Sequence, residues 1–242
     1  MSALSGQFAV VTGASGAIGA AIAAGLVKAG VRVCAIGRNR EHLERLGQSA
    51  SMLEGSIVPL VGDLEDESGL HSICAGVHAL SADVHLLVHA AGRIYTGNVQ
   101  DAPIAQLDEQ YRLNVRAPYA LTQALLPSLR RTAGQVVFVN STVGTAVVRG
   151  GIAQYAASKH ALKAIADSLR FEVNADGMRV LTVFPSNTAS SMYQRLCASE
   201  GKPYKPEQLM QPEDIASTVI AALSLPRSAE VTDIQMRPLK RS

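Results

Sequence analysis

Val10-Val11-Thr12-Gly13-Ala14-Ser15-Gly16-Ala17-Ile18-Gly19 runs from a β-branched apolar stretch through a glycine-rich turn into an alanine-rich helical pattern. Strand, tight turn and helix in that order form the context in which such a turn cradles the phosphates of a dinucleotide. Gly13 permits the sharp bend, and the small residues at 14 to 17 let a pyrophosphate approach the backbone. Gly19 lets the helix pack close to the sheet. The helix start adds free N–H groups and the positive end of its dipole. Without a ligand, the same ten residues make only a tight β–α turn.

Downstream, short apolar runs alternate with longer helix-patterned segments. The strand candidates are 8–12, 32–36, 56–61, 85–89, 135–140 and 179–184, with a seventh around 230–237 closing one edge. Their near-continuous apolar character is that of parallel strands buried on both faces. The helix candidates are 17–29, 39–52, 66–80, 104–131 and 154–175. The alternation predicts an α/β fold, a doubly wound parallel sheet of about seven strands with helices on both faces and right-handed crossovers. At 242 residues the chain fits a single domain, 1–242. Residues 186–211 stand apart, with Pro203 and Pro206 inside the stretch and Pro212 just after it. They read either as a loosely helical surface insertion or as a mobile lid over a pocket.

Composition narrows the function classes. Hydrophobic residues make up 48% and charged residues 17%, as in a compact buried protein. The net charge is +2, and no Lys/Arg cluster is interleaved with aromatics, so nucleic acid is not an expected partner. Cys34, Cys74 and Cys197 are far apart, and the histidines form no H-x-x-x-H, so neither a disulfide framework nor a metal site is expected. The opening residues 1–6 read as a short polar leader rather than a signal peptide. No apolar stretch is long enough to span a membrane, so no membrane partner is expected and the default location is the cytoplasm.

The second informative stretch is Gln154-Tyr155-Ala156-Ala157-Ser158-Lys159. Four residues on a helix is about one turn, so Tyr155 and Lys159 rise from one face. A phenol is a weak acid, with a reference pKa of about 10, and a neighbouring ammonium favours its ionised form. Such a pair can exchange a proton with an alcohol or ketone oxygen. On its own the spacing also fits an exposed pair with no role.

Together these motifs resemble the short-chain dehydrogenase/reductase superfamily over essentially the whole chain. The family's first motif, T-G-x-x-x-G-x-G, is met by Thr12, Gly13 and Gly19, with Ala17 at the middle glycine and Gly16 just before it. The resemblance implies a Rossmann-like sheet binding a nicotinamide dinucleotide, with Gly13, Ser15, Gly16, Ala17, Ile18 and Gly19 around its phosphates. At the end of the second strand an acidic residue would bind an unphosphorylated ribose; the chain instead has Arg38. A planar guanidinium there can hold a 2′-phosphate, which favours NADP(H) over NAD(H). As a merely solvated charge, Arg38 would leave that preference open.

Asp63-Leu64 falls where the family meets adenine, although Asp63 could also cap a helix. His89-Ala90-Ala91-Gly92 replaces the family's N-N-A-G and keeps Ala90, Ala91 and Gly92 small enough for backbone contact with the cofactor. Asn114, mid-helix, matches an asparagine that in the family holds a water linking the active-site lysine to solvent; otherwise it is an ordinary helix residue. Ser141 and Gly144 fit S-x-x-G, which puts the substrate-holding hydroxyl on Ser141; counted back from Tyr155, Thr142 is the alternative. Pro185, Thr188 and Ser190 follow the sixth strand at the nicotinamide and phosphate end, with Ser186 in place of a family glycine.

The implied catalytic set is Asn114, Ser141, Tyr155 and Lys159, with Tyr155 as acid/base. Lys159 would lower the tyrosine's pKa and bind the nicotinamide ribose. The implied reaction is hydride transfer between the nicotinamide and a carbonyl or secondary alcohol. Ile94, Tyr95, Val147, Val148, Met192 and Tyr193 fall in substrate-facing segments and suggest a hydrophobic small molecule, or else are packing or subunit contacts. A 3-oxoacyl-thioester reductase and a non-catalytic NADP(H)-binding regulator are the alternatives. The family commonly forms homodimers or homotetramers.

Overall fold

A computed structural model of the protein describes residues 2–239. Seven parallel strands form one sheet in the order β3-β2-β1-β4-β5-β6-β7. They are β1 (Phe8–Thr12), β2 (Arg32–Gly37), β3 (Ser56–Val61), β4 (Leu86–His89), β5 (Gln135–Val139), β6 (Arg179–Pro185) and β7 (Asp233–Met236). The order turns outward on either side of the β1–β4 pair, so the sheet's topological switch, where α/β sheets bind ligands, lies between those two strands.

Alternation along the strands divides the core in two. From β1, Ala9 and Val11 join Val33, Ala35, Leu86 and Val88 on one face. Phe8 and Val10 join Cys34, Ile36, Leu87, Val136 and Phe138 on the other. The first face is covered by α1 (Ala17–Lys28), α2 (Arg40–Ser49) and α8 (Pro212–Leu223), through Ile22, Leu26, Leu43, Ile215 and Val219. The second is covered by α3 (Glu67–Leu80), α5 (Ala117–Arg131) and α6 (Ala153–Val173), through Ile73, Val77, Leu121, Leu125, Leu162 and Ala166. At about 1.5–3 kcal/mol for each fully buried aliphatic side chain, these two layers are the fold's main source of stability.

Two expectations need revision, and two further segments gain detail. The edge strand β3 is not buried on both faces: its residues are intermediate or exposed, and Pro59, which cannot donate to a ladder, sits where an edge tolerates it. The segment 104–131 is one continuous rod but not one α-helix. It runs as α4 (Ile104–Tyr111), a π-helical turn at Arg112–Arg116, and then α5. Ala117 N donates five residues back, to Arg112 O, and Pro118 has no N–H to close the normal bond to residue 114. Residues 212–223, given no element above, form α8. Its signals were Pro212 at the first turn, Glu213 and Asp214 at the positive dipole end, and Ile215, Val219 and Leu223 at helical spacing.

Finally, residues 186–211 are largely ordered by local bonds. Ser190 caps α7 (Ser191–Ser199) by accepting from Tyr193 N at 3.1 Å. Ala189 N donates to Met210 O and Met210 N to Asn187 O, tying the two ends of the segment together. Among the described residues no helix is long and apolar enough to cross a membrane.

Candidate active site

The C-terminal ends of β1, β2 and β4 converge on the glycine-rich turn. Gly13 has φ +67°, and a Cβ there would lie 2.6 Å from Ala91 N. A Cβ on Gly19 would lie 2.3 Å from Gly13 O. The turn is therefore folded back on itself and pressed against Ala90-Ala91, with room for no side chain at either position. Thr12 braces it: its hydroxyl donates to Val88 O at 3.3 Å and accepts from Ala90 N and Ala91 N at 3.2 and 3.3 Å. The start of α1 has no side-chain cap and no acidic residue in its first turn.

We expect Gly19→Val to displace the turn, lowering stability by about 1–3 kcal/mol. Dinucleotide affinity should fall at least about tenfold, the equivalent of 1.4 kcal/mol. Melting curves and calorimetric titration measure both, and an unchanged titration would contradict the reading of the turn.

A groove of about 300 Å³ runs from this turn past Gly37, Arg38, Asp63 and Leu64 to Ala90-Ala91-Gly92. Ser15 packs on the end of β2, where a Cβ at Gly37 would come within 2.6 Å of its hydroxyl oxygen. Asp63 does not cap α3: its carboxylate accepts from Glu65 N at 2.9 Å, and the cap is Asp66. Arg38 is exposed and donates to Glu65 Oε1 at 3.1 Å. Glu65 is also gripped by Arg93 through two 2.7 Å bonds. Arg93 reaches Glu109 as well, at 2.9 Å, and Glu109 accepts from the Tyr95 hydroxyl at 2.7 Å. This network of Arg93, Glu65, Glu109 and Tyr95 was missed from sequence, where charges so far apart carry no sign of meeting.

His89, in place of a family asparagine, is buried. One ring nitrogen lies 2.8 Å from the Thr122 hydroxyl, and the ring stacks on Phe138 at 5.0 Å. Burial pushes its pKa down to about 3, so it stays neutral and structural at ordinary pH.

At the other end of the groove a cleft of about 190 Å³ is lined by Ser141, Thr142, Tyr155 and Lys159, with Pro185 and Thr188 on its rim. Tyr155 and Lys159 stand one turn apart on α6, with the ammonium 5.8 Å from the ring centroid. Lys159 is buried and donates to Val139 O at 3.1 Å; burial holds its pKa down, at about 8. Burial likewise pushes the Tyr155 phenol up to about 12, and a hydrogen bond with Ser141 opposes that shift. The expected lowering by Lys159 does not appear: desolvation of the phenol dominates, and the group that opposes it is the Ser141 hydroxyl rather than Thr142.

Asn114 lies in the π-turn, not in a regular helix. Its Oδ1 accepts from Arg93 N at 2.8 Å, and its Nδ2 donates to Arg93 O at 2.9 Å and Ser158 Oγ at 3.0 Å. Ser158 in turn donates to Tyr155 O at 2.8 Å. The side chain is thus spent on positioning the two walls of the cleft and makes no bond to Lys159.

Asn140 was missed from sequence. It accepts from Ser141 N at 2.9 Å and donates to Lys159 O at 3.0 Å, fastening the exit of β5 to α6. A Cβ at Gly144 would come within 2.4 Å of Asn140 Oδ1, which explains the glycine there. A lone asparagine closing the apolar run Val136–Val139 was the available signal.

Of the expected substrate-facing residues, Ile94, Met192 and Tyr193 line the cleft, together with Arg149, Ile152 and Leu196. Val147 and Val148 face solvent, at 57% and 84% exposure. Arg149 pairs with Glu200 at 2.6 Å, joining the 145–151 loop to the end of α7. Among the described residues no cluster of His, Cys, Asp or Glu could hold a metal.

Comparison with known proteins gives one answer. Residues 7–201 match the family described as short chain dehydrogenase. An uncharacterised short-chain type dehydrogenase/reductase from Sinorhizobium fredii is 32% identical over 96% of this chain and 91% of its own length. An alcohol dehydrogenase from the archaeon Thermococcus sibiricus, solved with 5-hydroxy-NADP, is 26% identical, covers 98% of each chain and superposes with a TM-score of 0.85. A metagenomic short-chain oxidoreductase in complex with NADP is 28% identical over 99% of this chain and 100% of its own, with a TM-score of 0.83.

Proposed function

The chain belongs to the short-chain dehydrogenase/reductase family and is an oxidoreductase of that family; from that premise we propose that it uses NADP(H) to interconvert the carbonyl and secondary alcohol of a hydrophobic small molecule. The observation that carries the reading is the meeting of Ser141, Tyr155 and Lys159 in one cleft continuous with the phosphate turn. The turn suits the dinucleotide: Gly13 and Gly19 leave space a Cβ would fill, and the first turn of α1 offers uncapped donors. Arg38 would hold the 2′-phosphate, Asp63 and Leu64 the adenine, and Ala90, Ala91, Gly92, Pro185 and Thr188 the nicotinamide half.

When bound, the nicotinamide would supply or accept the hydride. The protein does the rest. Ser141 holds the substrate oxygen, and Tyr155 donates its proton in reduction or accepts one in oxidation. Lys159 binds the nicotinamide ribose and returns the proton to bulk past Asn114. Ile94, Ile152, Met192, Tyr193 and Leu196 give the cleft its apolar wall. Residues 186–211 act as its lid, within a single domain.

The three unpaired cysteines fit a reducing, cytoplasmic setting. Copies of the chain meet over the groove lined by Tyr111, Val115, Tyr119 and Ile165, a face that also leaves Tyr119 half exposed. Sedimentation equilibrium checks that part, and a monomer at all concentrations would remove it.

A panel of ketones, aldehydes and acyl thioesters assayed with NADPH and NADH tests the whole. NADPH should support faster turnover, and Arg38→Ala should cost at least about tenfold in NADPH kcat/KM, a loss of about 1.4 kcal/mol, while sparing NADH. Binding without turnover of any carbonyl would leave a regulator instead.

A further inference from the structure

The helix α7 presents Met192, Arg195, Leu196 and Ser199, at positions i, i+3, i+4 and i+7, to the hollow beside the cofactor groove. Met192 and Leu196 suit an apolar cover; a guanidinium among them does not. Arg195 lines both this hollow and the phosphate groove itself, and Arg38 lines both with it. Among the described residues no carboxylate lies within ion-pair distance of it: Glu200, the acid nearest along the chain, is taken by Arg149 at 2.6 Å and Lys202 at 2.7 Å. The positions one turn away on α7, Ser191 and Ser199, offer no charge. Arg38, for its part, is half neutralised by Glu65, which Arg93 holds in place.

We infer that Arg195 is a specificity-determining residue: it reaches from the lid across the groove and, with Arg38, clamps the ribose 2′-phosphate of NADP(H). A phosphate monoester carries close to two negative charges near neutral pH, and one shared guanidinium does not balance it. A second planar fork from α7 does, through charge-assisted bonds. The clamp favours lid closure on NADP(H) over NAD(H), because the 2′-phosphate gives α7 an anion beyond the pyrophosphate that both cofactors carry. The inference rests on the NADP(H) reading of the groove.

Calorimetric titration of the whole protein with 2′,5′-ADP, 5′-AMP, NADP⁺ and NAD⁺ tests it without turnover. Arg195→Ala should weaken 2′,5′-ADP and NADP⁺ by about tenfold or more, with 5′-AMP and NAD⁺ changed less than about twofold. Arg195→Lys should recover part of the loss, and the difference should shrink as salt is raised. Because Arg195 is exposed, the melting curve of the variant should match the wild type. Equal loss for NADP⁺ and NAD⁺, or no loss, overturns the role of Arg195 while the cofactor reading stands. A wild type that binds NAD⁺ as tightly as NADP⁺ overturns both.

Discussion

Tyr155→Phe is expected to lower carbonyl-reducing turnover by about 10²–10⁴-fold while leaving dinucleotide titration unchanged. The substitution removes one oxygen from a ring that lines the cleft and packs against Ser141 and Lys159. Ser141 would still hold a substrate oxygen, but the phenol that hydrogen-bonds to it would be gone. With the phenol pushed up to about 12 by burial, the wild-type tyrosine is protonated at neutral pH. That is the form needed to reduce a carbonyl. Oxidation of the alcohol needs the phenolate, so its rate should rise with pH through the alkaline range. Single-turnover absorbance at 340 nm separates binding from chemistry. Turnover within a few fold of wild type would remove Tyr155 as the acid.

Lys159→Met should split activity from stability. The lysine is buried with a single protein acceptor, Val139 O, and its pKa is held at about 8 against an ordinary 10.5. Between those values the unfolded chain binds more protons than the folded one, so stability rises with pH across that window. Below it, the buried charge is a standing penalty on the order of 3 kcal/mol, at 1.36 kcal/mol per pKa unit. Methionine keeps the volume and removes the charge, at a cost of about 1 kcal/mol for the bond to Val139 O. The Asn140 bond goes to the Lys159 backbone and survives. The melting temperature without cofactor should rise by roughly 4–8 °C at pH 7, while turnover falls by about 10²-fold or more. A lower melting temperature would show that the lysine is anchored for stability rather than held in place for chemistry.

Much of this was legible in the sequence because it is local. The turn at 13–19, the Tyr155–Lys159 spacing and the apolar strands each declare themselves within ten residues. The resemblance then ordered them in space. What stayed hidden depends on partners far apart in the chain. Arg93 and Glu65 are 28 residues apart and meet only because β4 and β3 end on the same side of the sheet. The exposure of β3 follows from its place at the edge, which its apolar composition does not encode. Pro118 and Pro212 were readable signals, one of a disturbed helix and one of a new helix start. The direction of the Tyr155 shift depends on how much water the cleft admits, a property of the assembled fold.

The π-turn at Arg112–Arg116 has a consequence for how the site tolerates change in chain length. A residue more in one turn slips the angular phase of the rod by about 100°. The two ends are therefore keyed differently: Glu109 and Gln110 hold Tyr95, while Leu121, Leu125 and Leu129 face the sheet. Deleting one residue between 112 and 116 would restore an uninterrupted α-helix, yet it would turn 104–111 away from the wall it supports. A gap of one here would cost the site more than most replacements around it, even though the shortened helix would be the more regular one.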